Sequence, residues 1–174
     1  MRRVRFGAAM SLDGYIAGPN GEYDWIVQDP ERDFAAWMAE FDTFLIGRKT
    51  FDAMVAAKQD KPPTGIEYVV FSRTLRAEDY PRVRMDREAE PVVRDLREKP
   101  GKDIAVFGGG ELFRSLLGAG LVDRIEVSLI PMLLGEGIPL LPAPALSAKL
   151  KLLGQRVYAK TGIVRLEYEV EGSR

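Results

Sequence analysis

The pattern of apolar and polar positions predicts an alternation of strands and helices along most of the chain. The predicted strands, from short apolar runs, are 4–10, 42–47, 66–72, 103–108 and 122–134. The predicted helices, from apolar residues at helical spacing, are 30–41, 48–57, 92–99 and 110–120. Two alternating segments near the C-terminus, separated by Lys160 and Thr161, predict a terminal hairpin.

This order of elements predicts an α/β fold with a doubly wound, mainly parallel sheet. The C-terminal hairpin adds antiparallel strands at one edge. Gly and Pro mark long loops at 11–25 and 135–145, and 76–91 reads as loop with one short strand near Val83. A chain of 174 residues without repeats or linkers is expected to form a single domain over 1–174.

Composition narrows the classes of partner. The chain is 46% hydrophobic and 29% charged with a formal net charge of −1, which gives no basic character for nucleic acid. No apolar run approaches the roughly 20 residues that span a bilayer, and charge and glycine interrupt the N-terminal segment. We therefore expect a cytoplasmic enzyme or binding protein with no nucleic-acid or membrane partner.

The absence of Cys and His limits the chemistry further. It excludes disulfides, thiolate nucleophiles, Ser-His-Asp triads and His-based metal sites. No EF-hand pattern occurs, and we expect no metal. Catalysis would then rest on carboxylates, Lys, Tyr or a cofactor.

Four distinctive segments follow four predicted strands. They are SLDGYIAG after the first, GRKTF after the second, SRT after the third and GGGE after the fourth. Ligands in such sheets bind where parallel strands end. Each segment alone reads equally well as a loop, but four of them converging on one edge favour a site.

The triple glycine Gly108–Gly110 matches neither common phosphate-binding fingerprint. Phe113 occupies the last glycine position of G-x-G-x-x-G, and the Gly-Lys-Ser/Thr of a P-loop is absent. The glycines still expose backbone amides at a helix N-terminus, where phosphate is attracted.

Basic and hydroxyl residues follow the second and third strands. GRKT adds Arg48, Lys49 and Thr50 to a second helix N-terminus, and Ser72 with Arg73 suits a phosphate monoester. The alternative for each cation is a solvated surface charge. Taken together, the segments predict a pocket for NADPH, whose hydride transfer needs neither His nor Cys.

The motifs AAMSLDGYIA, LIGRKTFDAM, VVFSRT and VFGGGELFRSLL, in this order, resemble the dihydrofolate reductase-like superfamily. SLDGYIAG, YDW and LVDRIEVSLIPMLLGEG resemble more closely the C-terminal reductase domain of bifunctional riboflavin-biosynthesis deaminase-reductases. The resemblance spans nearly the whole chain and implies the same fold and an NADPH cofactor. The deaminase half is absent, because neither H-x-E nor P-C-x-x-C occurs.

The resemblance also implies roles for individual residues. It places Ala9 and Ile16 at the nicotinamide, and Ser72 and Arg73 at the adenosine 2′-phosphate. The remaining predicted cofactor-binding residues, at the two helix N-termini, are Gly47, Arg48, Lys49, Thr50, Gly108, Gly109, Gly110, Glu111 and Leu112.

Three carboxylates are candidates for catalysis, and each has a structural alternative. The resemblance places an Asp of SLDG, here Asp13, beside the nicotinamide, although Asp-Gly is also a turn pair. The resemblance to dihydrofolate reductases also implies a carboxylate in the first turn of the helix before GRKTF, which would be Glu31 or Asp33. The alternative is that both are acidic residues favoured at a helix N-terminus by the helix dipole. Tyr15 and Trp25 either line the substrate pocket or pack in the core.

These observations predict an NADPH-dependent reductase of a planar heterocycle, of the 5-amino-6-(5-phosphoribosylamino)uracil reductase type. The alternatives are a dihydrofolate or pterin reductase and an NADPH-binding protein without turnover. The residues that would hold a ribose phosphate are not identified by the sequence. The apolar run 127–134 beside the terminal hairpin, together with the resemblance, predicts a homodimer.

Overall fold

The computed structural model describes residues 1–144 and 146–172, which form ten strands and four α-helices. The strands are β1 (Val4–Ser11), β2 (Tyr15–Ala17), β3 (Phe41–Gly47), β4 (Glu67–Phe71), β5 (Arg84–Asp86), β6 (Asp103–Gly108), β7 (Arg124–Ile130), β8 (Ile138–Pro139), β9 (Leu150–Tyr158) and β10 (Ile163–Val170). The helices are α1 (Phe34–Met38), α2 (Arg48–Ala56), α3 (Ala89–Glu98) and α4 (Gly110–Gly118). A single 3₁₀ turn occurs at Ala77–Asp79.

Eight of these strands form one sheet in the order β5, β4, β3, β6, β1, β7, β10 and β9. The first six run parallel to one another, and β10 and β9 form an antiparallel hairpin at the edge. The predicted fold class, a mainly parallel α/β sheet with an antiparallel C-terminal hairpin, is confirmed. The ends of β1, β3, β4 and β6 therefore lie along one edge, which we call the carboxyl edge.

Helices cover both faces of the sheet, as in other doubly wound folds, so the central strands bury side chains on both sides. On one face α3 and α4 pack against β1 and β6, with Phe6 stacked on Phe113 at 3.8 Å between ring centroids. On the other face α1 and α2 contribute Trp37 and Phe51 to a second core over β3 and β4. Both apolar cores are thus formed by the strands that carry the carboxyl edge.

The second face also contains a buried polar cluster centred on Glu126 of β7. Its carboxylate accepts hydrogen bonds from Arg5 (2.6 Å), from the indole Nε1 of Trp37 (2.8 Å) and from Arg165 (2.9 Å). Burial acts to raise the pKa of Glu126, but these hydrogen bonds and the charge of Arg5 outweigh burial and lower it. The cluster fixes α1 over the sheet, because Trp37 lies directly over Gly7 and bonds to β7.

Several predicted bounds are wrong for local reasons. The helix predicted over 30–41 begins only at Phe34, because Asp33 caps it, and Phe41 already belongs to β3. The third helix starts earlier than predicted and contains Pro91, which is tolerated in a first turn where no intrahelical N–H bond is lost. The predicted loops 11–25 and 135–145 contain β2 and β8, which pair with each other.

Candidate functional site

The turns after β3 and β6 meet backbone to backbone at the carboxyl edge. Ile46 lies opposite Gly108 in the sheet, and a Cβ built on Gly47 would lie 3.2 Å from the Gly109 nitrogen. The N-termini of α2 and α4 start from these two turns. The sequence therefore correctly places GRKT and GGGE side by side.

Glycine occupies each of these three consecutive positions for a different steric reason. Gly108 has φ +145°, a conformation that side chains rarely adopt, and its Cβ would also meet the Thr50 Oγ1 at 3.0 Å. Gly109 is extended, but its Cβ would lie 3.2 Å from the same oxygen. Gly110 is buried against the loop that follows β7, and its Cβ would lie 3.0 Å from Pro142. Backbone geometry thus requires glycine at Gly108, and close packing favours it at the other two positions.

Both helix N-termini are suited to bind phosphate. The N-cap residues are Gly47 and Gly109, so neither terminus has a side-chain cap, and each helix is nine residues long. Uncapped first-turn amides carry partial positive charge and attract anions. A Cβ at either N-cap would crowd the gap between the two turns. The residues present therefore fit the pyrophosphate of a dinucleotide.

The predicted cations surround this gap at the surface. Arg48 pairs with Asp52 at 3.4 Å, and Lys49 pairs across the two helix N-termini with Glu111 at 3.8 Å. All four side chains are about half exposed or more, so these pairs contribute little stability. The cations are consequently free to exchange their protein partners for a phosphate. Leu112 is buried beside Gly47 and contributes packing.

Ser72 and Arg73 follow β4, one strand beyond the glycine turns. The Ser72 Oγ accepts hydrogen bonds from the backbone of Thr74 (3.2 Å) and Leu75 (3.0 Å), so this turn is ordered. Arg73 is exposed and, among the residues that the structure describes, has no hydrogen bond or ion pair through its side chain. An ordered hydroxyl next to an unpaired guanidinium fits a phosphate monoester.

Ala9 lies at the opposite end of this edge, in a third apolar cluster. The cluster comprises Ile130, Tyr158 and Ile163, and Ala9, Trp25 and Ile26 pack against it. Ala9, which the resemblance places at the nicotinamide, and Trp25, a candidate for either the substrate pocket or the core, therefore pack against the same cluster. The indole Nε1 of Trp25 donates to the Glu22 carbonyl at 3.0 Å, which fixes the ring.

The 131–142 segment, which follows β7, connects the two ends of the site. Its β8 pairs with β2, where Tyr15 and Ile16 lie, and the Leu140 N–H donates to the Gly14 carbonyl at 3.0 Å. Its far end contacts Gly110. A single segment thus contacts both the loop after β1 and the start of α4.

Asp13 holds the start of this segment. Its carboxylate accepts hydrogen bonds from the Ser11 hydroxyl (2.6 Å) and from the backbone N–H of Leu134 (3.1 Å) and Gly135 (2.7 Å). The Ser11 hydrogen bond, followed by the backbone bonds, lowers the pKa of Asp13 to about 2. An ionised Asp13 can stabilise positive charge at neutral pH, but it is a poor proton donor.

Glu31 and Asp33 both have other partners. Glu31 pairs with Lys160 at 3.2 Å, and Asp33 caps α1 by accepting from the Ala36 N–H at 2.8 Å. The cap made by Asp33 matches the structural alternative stated for it, whereas Glu31 precedes the helix and is held by an ion pair instead. Their assignment to catalysis stays a prediction that the geometry does not strengthen.

The sequence reasoning missed two exposed aromatic rings near the site. Phe34 and Phe107 are 43% and 37% exposed. They end a continuous row of rings across the sheet face covered by α1 and α2, and Phe107 stacks on Phe44 at 5.4 Å. Phe107 directly precedes the triple glycine, and this position was the available signal. Rings of this kind offer flat apolar surface to a planar substrate.

Residues 1–144 and 146–172 contain neither a candidate metal centre nor a helix that could cross a membrane. This part of the chain contains no group of three or more acidic side chains placed to hold a metal ion. None of its helices is both long and apolar enough to cross a membrane.

Comparison with known proteins agrees with the geometry. The family model described as the RibD C-terminal domain matches residues 2–164. The uncharacterized protein YyaP of Bacillus subtilis is 35% identical, covering 98% of this chain and 96% of that protein. The riboflavin biosynthesis protein RibD of Mycobacterium tuberculosis is 32% identical over 76% of this chain, which matches only 43% of that longer protein.

Solved structures give the same result for the fold. A putative riboflavin biosynthesis protein from Shewanella superposes with a TM-score of 0.81 at 26% identity, covering 98% of this chain and 99% of that one. Dihydrofolate reductase from Enterococcus faecalis, complexed with NADP(H), superposes with a TM-score of 0.71 at 19% identity, covering 97% and 96%. The motifs at the carboxyl edge, the family match and the shared fold together establish that the chain belongs to the RibD C-terminal domain family.

Proposed function

We propose that this chain is an NADPH-dependent reductase of a planar heterocycle, of the 5-amino-6-(5-phosphoribosylamino)uracil type. The observation that carries the proposal is the meeting of two glycine-capped helix N-termini at the carboxyl edge, with Ser72 and Arg73 one strand further along. This arrangement offers separate places for a pyrophosphate and for a 2′-phosphate.

The bound dinucleotide would extend along the carboxyl edge from Arg73 to Ala9. The amides that start α2 and α4 hold the pyrophosphate, and Arg48 and Lys49 add charge at its exposed side. Ala9 has the smallest side chain that still points from the sheet, so it leaves room for a flat ring. When bound, NADPH supplies the hydride.

The substrate half of the site lies beside Ala9. Trp25 packs against the same cluster as Ala9, and Phe34 and Phe107 offer exposed ring surface on this face of the sheet. Asp13 keeps the loop after β1 in place and, being ionised, would favour the protonated, cationic form of a substrate C=N group, which is the form that accepts hydride readily. The proton that completes the reduction then comes from water, because a carboxyl with a pKa near 2 does not supply it at neutral pH.

Relatives support the reductase class. The neighbour from Thermotoga maritima, with a TM-score of 0.72 and 19% identity, is a deaminase and 5-amino-6-(5-phosphoribosylamino)uracil reductase. This chain covers 56% of that bifunctional protein, so we propose only the reductase activity for this chain. The same fold also occurs in the Enterococcus dihydrofolate reductase. Dihydrofolate reduction is the less favoured alternative, because both candidate carboxylates before β3 are engaged elsewhere.

Cofactor choice tests the proposal. Calorimetric titration of the wild-type protein should give tighter binding of NADPH than of NADH. Arg73→Ala should weaken NADPH binding about tenfold or more, since a hydrogen bond to a charged group contributes about 1.5–3 kcal/mol, and should leave NADH binding unchanged. Arg76→Ala is the matched control, because Arg76 lies in the same loop and pairs with the exposed side chain of Glu78. Equal affinity of the wild type for the two cofactors would contradict the proposal.

A substrate panel then separates the alternatives. The NADPH-loaded protein is mixed with a phosphoribosylaminopyrimidine, with dihydrofolate or with no substrate, and NADPH oxidation is followed by absorbance. Oxidation with the pyrimidine is expected. Oxidation with dihydrofolate alone favours the pterin reductase, and binding without any oxidation favours a nucleotide-binding protein.

A further inference from the structure

Arg32 is a half-buried cation without an acceptor. Its Nε is buried, and within residues 1–144 and 146–172 its guanidinium has no hydrogen bond or ion pair. The guanidinium carbon lies 5.6 Å from the centroid of the Phe34 ring. A buried donor on a charged group is costly when it is left unpaired.

The backbone around Arg32 is fixed on both sides. The Arg32 N–H donates to the Asp29 carbonyl at 3.1 Å, and the Asp29 carboxylate accepts from Thr161 at 2.7 Å. On the other side Asp33 caps α1. The backbone position from which the Arg32 side chain extends is therefore fixed.

Among the residues that the structure describes, no carboxylate forms an ion pair with Arg32. Burial, and then the charge of Arg165, lowers the pKa of Arg32, while Tyr158 and Glu126 partly oppose this. Glu126 is already shared by Arg5, Trp37 and Arg165. An arginine stays protonated in a protein, so a positive charge remains uncompensated here.

The position of Arg32 relates this charge to the site. Ala9 lies opposite Ser128 across β1 and β7, and Ser128 lies opposite Arg165 across β7 and β10. Directly paired residues share a face of the sheet. Arg32 contacts the ring of Phe34, which stacks on Trp37, and Trp37 lies over Gly7. Gly7 and Ala9 lie on the same face of β1, because side chains alternate along a strand, so Arg32 lies over the face that Ala9 and Arg165 share.

We propose that Arg32 binds an oxyanion carried by the substrate, a carboxylate or a phosphate, beside the heterocycle. The inference rests on the proposed function, which places the nicotinamide at Ala9. A planar guanidinium with free donors matches the two oxygens of either anion. The preferred substrate is then an anionic heterocycle, and neutral analogues bind more weakly because they leave Arg32 unpaired.

The test follows the Arg32 Nε–H signal by NMR in the protein saturated with NADP⁺, which keeps the probe out of the cofactor's phosphate sites. Inorganic phosphate and acetate are the two probes, and they distinguish the two kinds of anion. We expect saturable shifts of the Arg32 signal with at least one probe. In the Arg32 variants, where the Arg32 Nε–H is absent, the affinity for phosphate or acetate is read from the shifts of neighbouring backbone amides. It should fall about tenfold in Arg32→Gln, recover partly in Arg32→Lys, and stay unchanged in Arg76→Gln.

Each outcome decides a separate claim. Normal NADP⁺ binding with an Arg32 signal that neither probe shifts would overturn the oxyanion site and leave the proposed function standing. Failure of the wild type to bind NADP⁺ would overturn the proposed function and this inference with it. NADP⁺ binding by Arg32→Gln shows that the variant is folded, and an unchanged phosphate and acetate affinity in it would also overturn the site.

Discussion

At Asp13 a single carboxylate joins the loop after β1 to the loop after β7. Three donors surround it, and they account for both its ionised state and its fixed position. Its side chain is nevertheless exposed. In the proposed function, Asp13 would combine two roles that the sequence treated as alternatives, a turn residue and an anion near the nicotinamide end of the site.

Asp13→Asn should keep NADPH affinity within a few fold while lowering kcat about 10²-fold, on the scale of charged catalytic groups. Asn retains one acceptor oxygen for Gly135 but loses the negative charge. Steady-state kinetics should show kcat and kcat/KM falling together. Unchanged turnover would reduce Asp13 to a turn residue, and a joint loss of fold and cofactor binding would count against a catalytic role.

The pH dependence of stability checks the hydrogen-bonded state of Asp13 independently of turnover. Its pKa falls from 3.8 to about 2 on folding, so its contribution to stability is complete above pH 3.8 and is lost as the pH falls through about 2. Urea denaturation of wild type and Asp13→Asn should give free energies of unfolding that converge as the pH is lowered below 3.8. A difference that stays constant over this range would contradict the proposed hydrogen bonds.

Single residues show where sequence reasoning succeeds. Ser72, Arg73 and the glycines directly follow strands, so strand assignment alone places them at the carboxyl edge. Arg32 and Phe107 were not identified, because their importance depends on neighbours distant in sequence, such as Arg165 and Phe44. Periodicity does not reveal which charge lacks a partner.

Among the elements, the paired starts of α2 and α4 carry the proposed cofactor site. Gly109 is a suitable position to test this site by substitution. Its extended backbone permits other residues, but a side chain there would point toward Thr50. The positive φ in this turn belongs to Gly108 and not to Gly109. Steric access is what Gly109 provides.

Gly109→Val should weaken NADPH binding about tenfold or more while the protein stays folded, because the side chain fills the gap between the two turns and blocks donors worth about 1.5–3 kcal/mol. Gly154→Val is the matched control, since a Cβ there meets nothing within 4 Å and β9 is far along the sheet from β6. Calorimetry measures binding and thermal unfolding measures the fold. Normal NADPH affinity in a folded Gly109→Val protein would mean that the glycines serve only the turn.

For the whole molecule, the most conspicuous surface is the outer edge of β9, which pairs on its other side with β10. This strand is the last of the sheet, and Leu152 and Val157 are 51% and 65% exposed on it. The predicted dimer surface in 127–134 is partly buried instead, since Val127 and Ile130 lie in the cores. Exposed edge strands with apolar side chains invite pairing with another chain. The sequence predicted the hairpin at this edge, but not which of its strands remains exposed.

The homodimer remains a prediction, and β9 is its expected contact. Light scattering of the wild type at micromolar concentration should give twice the chain mass of 19.4 kDa. Leu152→Lys with Val157→Lys should shift the protein toward the monomer, because charge at an apolar interface is costly. Val27→Lys, at an exposed apolar residue outside the sheet, is the control. A wild-type mass of 19.4 kDa would contradict the dimer.

The central claim is that the carboxyl edge binds NADP(H), and a crystal structure of the complex with NADP⁺ tests it most directly. The account predicts the pyrophosphate at the amides that start α2 and α4, the 2′-phosphate at Ser72 and Arg73, and the nicotinamide against Ala9. A dinucleotide bound elsewhere, or crystals that bind none at saturating concentration, would contradict it.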